Sequence, residues 1–367
     1  MELINATNMQ AGYTGGMNPD GRELVVVVVK GTFRIPDDAK SLPKLGEEQV
    51  PLIMADEFTG EPGFSATRYE SDYAPFKPRC DVLLNGSAYA PGGRPVEQVV
   101  VSLRVGSIKK SFRVVGNRYW HRGLSGTAPT PPRPFEVMPI SYDNAFGGTD
   151  DTHEDPAKHS AFQANSVGTG YHGRPNHESV DGIPLPNTEE VDRVIASPVG
   201  AYRPMAFGPI TRSSPLRLKY GGTYDDDWID NKFPFLPDDF DPMYHQSAPP
   251  DQQMDYPKGG ERIELVGLTP AGQTVFSLPK VDVPVEFTDR EYQREETVAA
   301  LDTIIIEPDQ RRFMLLWRVS RPLKVNMFEI VQCVVGRMPR GWYRARALGK
   351  DYYPSLRELV ESRAEEA

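Results

Sequence analysis

The stretch from Tyr142 to Gly260 most constrains the fold, because its 119 residues hold 14 Pro and 12 Gly. Proline fixes φ and lacks an N–H donor, and glycine readily takes positive φ, so neither a long helix nor a central strand runs through it. It also holds 14 aromatic residues, which disordered segments lack, so it reads as an ordered, loop-dominated module. Long ordered loops usually carry function. Nineteen Asp and Glu stand here against nine Lys and Arg. The resulting charge of −10 equals that of the whole chain, so the remaining residues balance to zero.

The flanks read as β-structure. Leu24 to Val29 is an uninterrupted Leu/Val run, too short for a helix and suited to a strand buried on both faces. Residues 36–68, punctuated by Pro and Gly, suit short edge strands. Asp81 to Ala90 reads as one strand ending at Pro91. Apolar residues alternate at Val99, Val101, Leu103 and Val105, and again at Ile108, Phe112 and Val114, across a type II′ turn at Gly106-Ser107. A second turn at Gly116-Asn117 makes Arg118-Tyr119-Trp120 the next strand of an antiparallel meander. Beyond the module, 262–266 and 274–278 form a hairpin. Residues 289–300 are charged and read as a helical stretch. Thr303–Glu307 and Phe313–Val319 flank a Pro308 turn, with Phe313, Leu315, Trp317 and Val319 on one face, and Asn326–Val335 is a further strand. Ser355 and Glu358 have capping-box spacing and start a short C-terminal helix. The fold class is therefore mainly β: antiparallel sandwich- or barrel-like sheets, a loop-rich centre and one short terminal helix.

The search for chemistry returns mostly exclusions. At pI 5.3 the chain lacks the basic face that nucleic acid needs. Its longest apolar run is too short to span a membrane, and the first residues lack the basic and apolar regions of a secretory signal, so the cytoplasm is expected. Cys80 and Cys333 read as buried free thiols. His153 with His159, or His172 with His177, match no compact zinc spacing. The nucleophile elbow, the phosphate loop and the dinucleotide fingerprint are missing. The Asp225-Asp226-Asp227 and Asp238-Asp239 runs lack the calcium-loop pattern, and turn capping is their first reading. No catalytic residue, metal or cofactor is expected. Tyr224, Trp228, Phe233, Phe235, Phe240 and Tyr244 fit either a satellite core or a recognition surface.

Several ordered motifs carry a family resemblance. They include Tyr142-Asp143-Asn144-Ala145-Phe146-Gly147-Gly148, Gly222-Thr223-Tyr224-Asp225-Asp226-Asp227-Trp228, Leu236-Pro237-Asp238-Asp239-Phe240-Asp241 and Ala248-Pro249-Pro250-Asp251-Gln252. Upstream, Lys77-Pro78-Arg79-Cys80-Asp81-Val82 and Asn85-Gly86-Ser87-Ala88-Tyr89 support them. Over residues 20–290 the chain resembles domain-of-unknown-function family 2169. Ser166, and the stretch before Tyr220, depart from the family pattern.

The resemblance implies a bacterial type VI secretion adaptor or chaperone. Such a protein binds a secreted effector or its spike-tip (PAAR-like) domain in the cytoplasm and is not an enzyme. The partner-binding residues expected from the central motifs are Tyr142, Asp143, Phe146, Tyr224, Asp225, Trp228, Asp239, Phe240, Asp241 and Asp251. The alternative is a carbohydrate-binding or carbohydrate-active β protein using the same Asp and aromatic residues. The expected organisation is a family-like body, 1–290, with an N-terminal β region, 1–124, and the module, 142–260. A C-terminal hairpin and helix, 291–367, pack on the same body.

Overall fold

The computed structural model describes residues 1–18, 20–123, 126–173 and 180–365. Three main sheets are built from strands β1 (Glu2–Asn5), β2 (Gln10–Met17), β3 (Glu23–Arg34), β4 (Cys80–Leu84), β5 (Gln98–Val105), β6 (Ile108–Val115), β7 (Thr188–Glu189) and β8 (Gln253–Met254). They continue with β9 (Arg262–Val266), β10 (Gln273–Ser277), β11 (Pro284–Asp289), β12 (Arg294–Val298), β13 (Ala300–Glu307), β14 (Arg312–Pro322) and β15 (Ile330–Val335). The six-stranded sheet has the order β8-β4-β13-β14-β3-β2, the five-stranded sheet β7-β6-β5-β9-β10 and the four-stranded sheet β1-β15-β11-β12. Among the described residues no sheet closes into a barrel.

The Leu/Val run makes β3 the keystone. Val25, Val27 and Val29 enter the main core with Val101 and Leu103 of the five-stranded sheet. Leu24, Val26 and Val28 enter a second cluster with Met314 and Leu316. The main core also takes Phe313, Leu315 and Trp317, with Val319 packed against it, which is the single face expected of β14. Lys30 is buried within β3. Its Nζ donates to Asp72 Oδ2 at 3.0 Å and Pro51 O at 3.1 Å, tying the loop ahead of β4 to the sheet. Buried Lys77–Asp81 and Arg318–Asp302 pairs extend this network.

The β5–β6 hairpin forms in the expected register, with positive φ at Gly106. The strand beyond it is not 118–120, however. That slot beside β6 belongs to β7 from the module, and Trp120–Gly123 pairs with Gly126–Pro129 instead. At Gly116 the chain passes tightly against another segment, since a Cβ there would lie 1.8 Å from Arg133 O. The expected strand 81–90 breaks at Asn85, whose N–H bonds Ile306 O, and Gly86–Tyr89 pairs away with Val137–Ile140. The charged stretch 289–300 is not a helix. It is the β11–β12 hairpin, turning through Tyr292 at φ 59°, with β12 as a charged outer strand. Charge there blunts an open sheet edge, which is why it resembled a solvated helix.

Among the described residues four α-helices accompany the sheets: α1 (Pro215–Leu218), α2 (Asp226–Asn231), α3 (Arg340–Ala347) and α4 (Leu356–Glu365). The Ser355 cap holds, with the Glu358 N–H donating to Ser355 Oγ at 3.3 Å. Helix α3 lies outside the sequence reading. Both cysteines are free and buried.

Candidate functional site

The module is laid across the sandwich, and its two halves differ. The first half closes on its own core of Trp120, Phe146, Val180, Leu185 and Ile195. Phe146 is fully buried there, and Tyr142 is buried in the main core. Neither residue, expected at a contact surface, is open to a partner. Asp143 is spent on structure: Oδ1 accepts from Ala66 N at 2.7 Å, and Oδ2 from Thr59 Oγ1 at 2.7 Å and Ser141 Oγ at 3.0 Å. Asp251 accepts from Lys110 at 3.3 Å and Arg203 at 3.1 Å. Burial draws the Lys110 ammonium down to about 8, with Asp251 pulling the other way. The His153 Nδ1 accepts from Asp155 N, and His172 stands 3.2 Å from Asp150. His177 lies outside the described residues.

The second half, 214–245, brings the remaining candidates together. Four of its side chains cap turns or helix starts. Ser214 starts α1, and Asp225 starts α2 by accepting from Trp228 N at 3.0 Å. Asp239 accepts from Thr223 N at 2.9 Å and Thr223 Oγ1 at 2.7 Å, bonds that hold its carboxyl below the usual range. Asp241 accepts from Met243 N at 2.8 Å and starts the 3₁₀ turn Pro242–His245. The Asp225 and Asp241 bonds satisfy orphan N–H donors at short helix starts and the Asp239 bonds hold the loop at Thr223, so the carboxylates order the loops. Sequence alone gave no signal for Arg217, although it is the pin of the region. It is buried, donates to Glu70 Oε1 at 2.7 Å, Tyr244 O at 3.0 Å and Ile210 O at 3.2 Å, and lies over the Tyr244 ring.

On this capped frame sits an aromatic surface. Trp228 packs edge-on against Tyr224 at 4.8 Å and Phe233 at 5.6 Å, and its Nε1 donates to Phe235 O at 2.9 Å. Trp228 is half-buried, whereas Tyr224 and Phe233 are 54% and 67% exposed. The outer rings are therefore available for contact and Trp228 holds them. Beside them an open groove of about 550 Å³ is lined by Leu218, Tyr224, Leu236, Phe240 and Tyr244, with Met17 at the end of β2. A smaller hollow of about 210 Å³ shares Met17, Pro75, Leu236, Phe240 and His245. Burial, then Arg217 and Lys77, push the His245 imidazole down to about 3, so it lines the groove uncharged. Seven exposed Asp lie between residues 225 and 241, against Lys219 and Lys232, and Lys232 is already paired with Asp238. An apolar groove with an acidic border suits a protein segment carrying apolar and basic side chains.

A family model described as an uncharacterized protein conserved in bacteria (DUF2169) matches residues 20–318. The chain belongs to this family. The DUF2169 match runs from the β2–β3 turn into β14, so it takes in the whole groove-forming half of the module but neither C-terminal helix. No curated protein and no solved structure matches the chain. Among the described residues no helix is long and apolar enough to cross a membrane.

Proposed function

We propose that this DUF2169 member is a non-catalytic adaptor that grips another protein through the aromatic groove at 218–245. One observation carries the reading: Tyr224, Phe233 and Phe235 stand exposed in one contiguous patch on a frame of side-chain caps and the buried Arg217. Aromatic residues at the centre of a contact supply most of its affinity, and a preformed frame lowers the cost of ordering them. The acidic border steers a basic partner toward the patch. The sequence resemblance supplies the partner class, a type VI secretion effector or its spike-tip (PAAR-like) domain, bound in the cytoplasm before export. The carbohydrate alternative needs free carboxylates across a cleft, whereas Asp225, Asp239 and Asp241 already accept backbone hydrogen bonds.

The test is capture of the effector and of its spike-tip protein by the purified chain. Tyr224→Ala and Phe233→Ala should each weaken capture about tenfold or more, about 1.4 kcal/mol, while the thermal midpoint stays put. Full capture by the double variant would overturn the reading. Turnover of a glycan panel that is lost in Asp241→Ala would move the protein to the carbohydrate class.

A further inference from the structure

The outer strands of the three main sheets are β1, β12, β7, β10, β8 and β2. Five of them are at most five residues long, and β12 is charged as well. Strand β2 differs: it is eight residues long, Gln10-Ala11-Gly12-Tyr13-Thr14-Gly15-Gly16-Met17, with no charge and no proline. Natural sheets normally guard such an edge by shortness, charge or proline.

The register fixes which groups face outward. Asn18 N donates to Arg22 O, so Asn18 points its backbone at β3. Pairing is unbroken from Gln10↔Lys30 to Met17↔Glu23, so Gly16, Thr14, Gly12 and Gln10 point the same way. Glu23 O accepts from Leu323 N on the far side of β3, which agrees with that phase. Ala11, Tyr13, Gly15 and Met17 therefore direct their N–H and C=O groups away from the sheet. Among the described residues β2 pairs with no strand on that side, and of these groups Gly15 O accepts only from the neighbouring Thr14 Oγ1, at 3.2 Å. Tyr13 and Gly15 are exposed. The strand also leads somewhere: Met17 lines the apolar groove, and Gly21 in the following turn abuts Phe235, whose ring atom lies 3.2 Å from an added Cβ.

We infer that the free edge of β2 is a strand-addition site for an extended segment of the partner protein, which pairs with Ala11, Tyr13, Gly15 and Met17 and runs on into the groove beside Tyr224. Main-chain bonds along an open edge supply affinity in such additions, and pockets for alternate side chains supply selectivity. The groove asks for apolar side chains at alternate positions, and the Asp border asks for Lys or Arg among them. This rests on the reading of the groove as a protein-binding site.

The probe is a phage-displayed library of random peptides about 12 residues long, enough to follow β2 and reach the groove. It is selected on the full-length protein. Selected peptides are then synthesised and their Kd values measured by fluorescence anisotropy. They should alternate apolar with polar residues and carry Lys or Arg. Ala11→Pro and Gly15→Pro each remove an outward N–H that β3 does not use, so each should weaken binding about tenfold or more and leave the thermal midpoint in place. Thr14→Pro removes an inward N–H and should lower the midpoint. Amide exchange adds a second readout: Ala11, Tyr13 and Gly15 should slow on peptide binding, while Gly12, Thr14 and Gly16 are slow already.

Peptides indifferent to both proline variants but lost in Tyr224→Ala would overturn strand addition and leave the groove reading standing. Failure to enrich any peptide, or peptides indifferent to all three variants, would overturn both. A concentration-dependent dimer in sedimentation that Gly15→Pro abolishes would assign the edge to a second copy of this chain and overturn the proposal.

Discussion

His245 lines the groove with a neutral imidazole, and that has a cost in acid. The unfolded chain takes up a proton near 6.5, while the folded protein refuses it until about 3. The unfolded state thus binds more protons throughout this window, and stability falls as pH drops through 6.5. One pKa unit is worth about 1.4 kcal/mol, so at pH 5 this single group removes roughly 2 kcal/mol. Urea melts from pH 7 to 5 should show that loss, and His245→Gln should flatten the profile by the same amount. Equal slopes in the two proteins would refute the assignment. The module's carboxylates tell a different story from its aromatics. Asp in Pro- and Gly-rich sequence is legible as a turn cap because the side chain finds N–H groups two or three residues away, and Asp225 and Asp241 do so. Whether an aromatic ring lies in or out depends on distant chain. Phe146 meets Phe162 and Tyr202, while Phe233, in equally Pro-rich surroundings, stays exposed.

Among the elements, legibility followed periodicity. Val101, Leu103 and Val105 alternate against one core, so β5 is readable from its own residues, as is β14. Strand β12 faces solvent as Arg-Glu-Glu, and nothing in its own composition separates an outer strand from a helix face. Strand β7 is two residues long, and its distant partners, β6 and the bridge from Thr188 to Ala145, make it a strand. Helix α2 is similarly local: one turn and a half started by Asp225, with Asp226 and Asp227 at its positive end. Asp225→Ala should cost about 1 kcal/mol. The loss should appear chiefly as faster amide exchange at Trp228 and Ile229 and increased quenching of the Trp228 ring, since the main core lies elsewhere. An unchanged exchange pattern would show that ring packing alone holds the turn.

The molecule as a whole is held by a core whose members run from Met9 to Val335. Helix α3 adds no buried residue to it and touches the body through Arg294 over the Tyr343 ring and through Arg346 with Glu2. A chain ending at Gly336 should therefore keep its fold, with the midpoint lowered by less than about 4 °C, the shift that about 1 kcal/mol produces. A chain ending before Ile330 should not fold cooperatively, because among the described residues β1 pairs only with β15, which carries Cys333 and Val335 into the core. Differential scanning calorimetry on both truncations decides this. The β1–β15 pairing also sets a timetable. Its register is parallel, from Glu2↔Gln332 to Asn5↔Val335, so β1 is completed by a strand that is synthesised about 330 residues later. Strand β3 likewise waits for β14, almost 300 residues later in synthesis. Until then the valine-rich strand is without its neighbour on one side, a hydrophobic surface on a nascent chain that has no way to close it. A protein built this way leans on whatever shelters it during those seconds, and its yield in a cell should track chaperone supply more closely than its final stability.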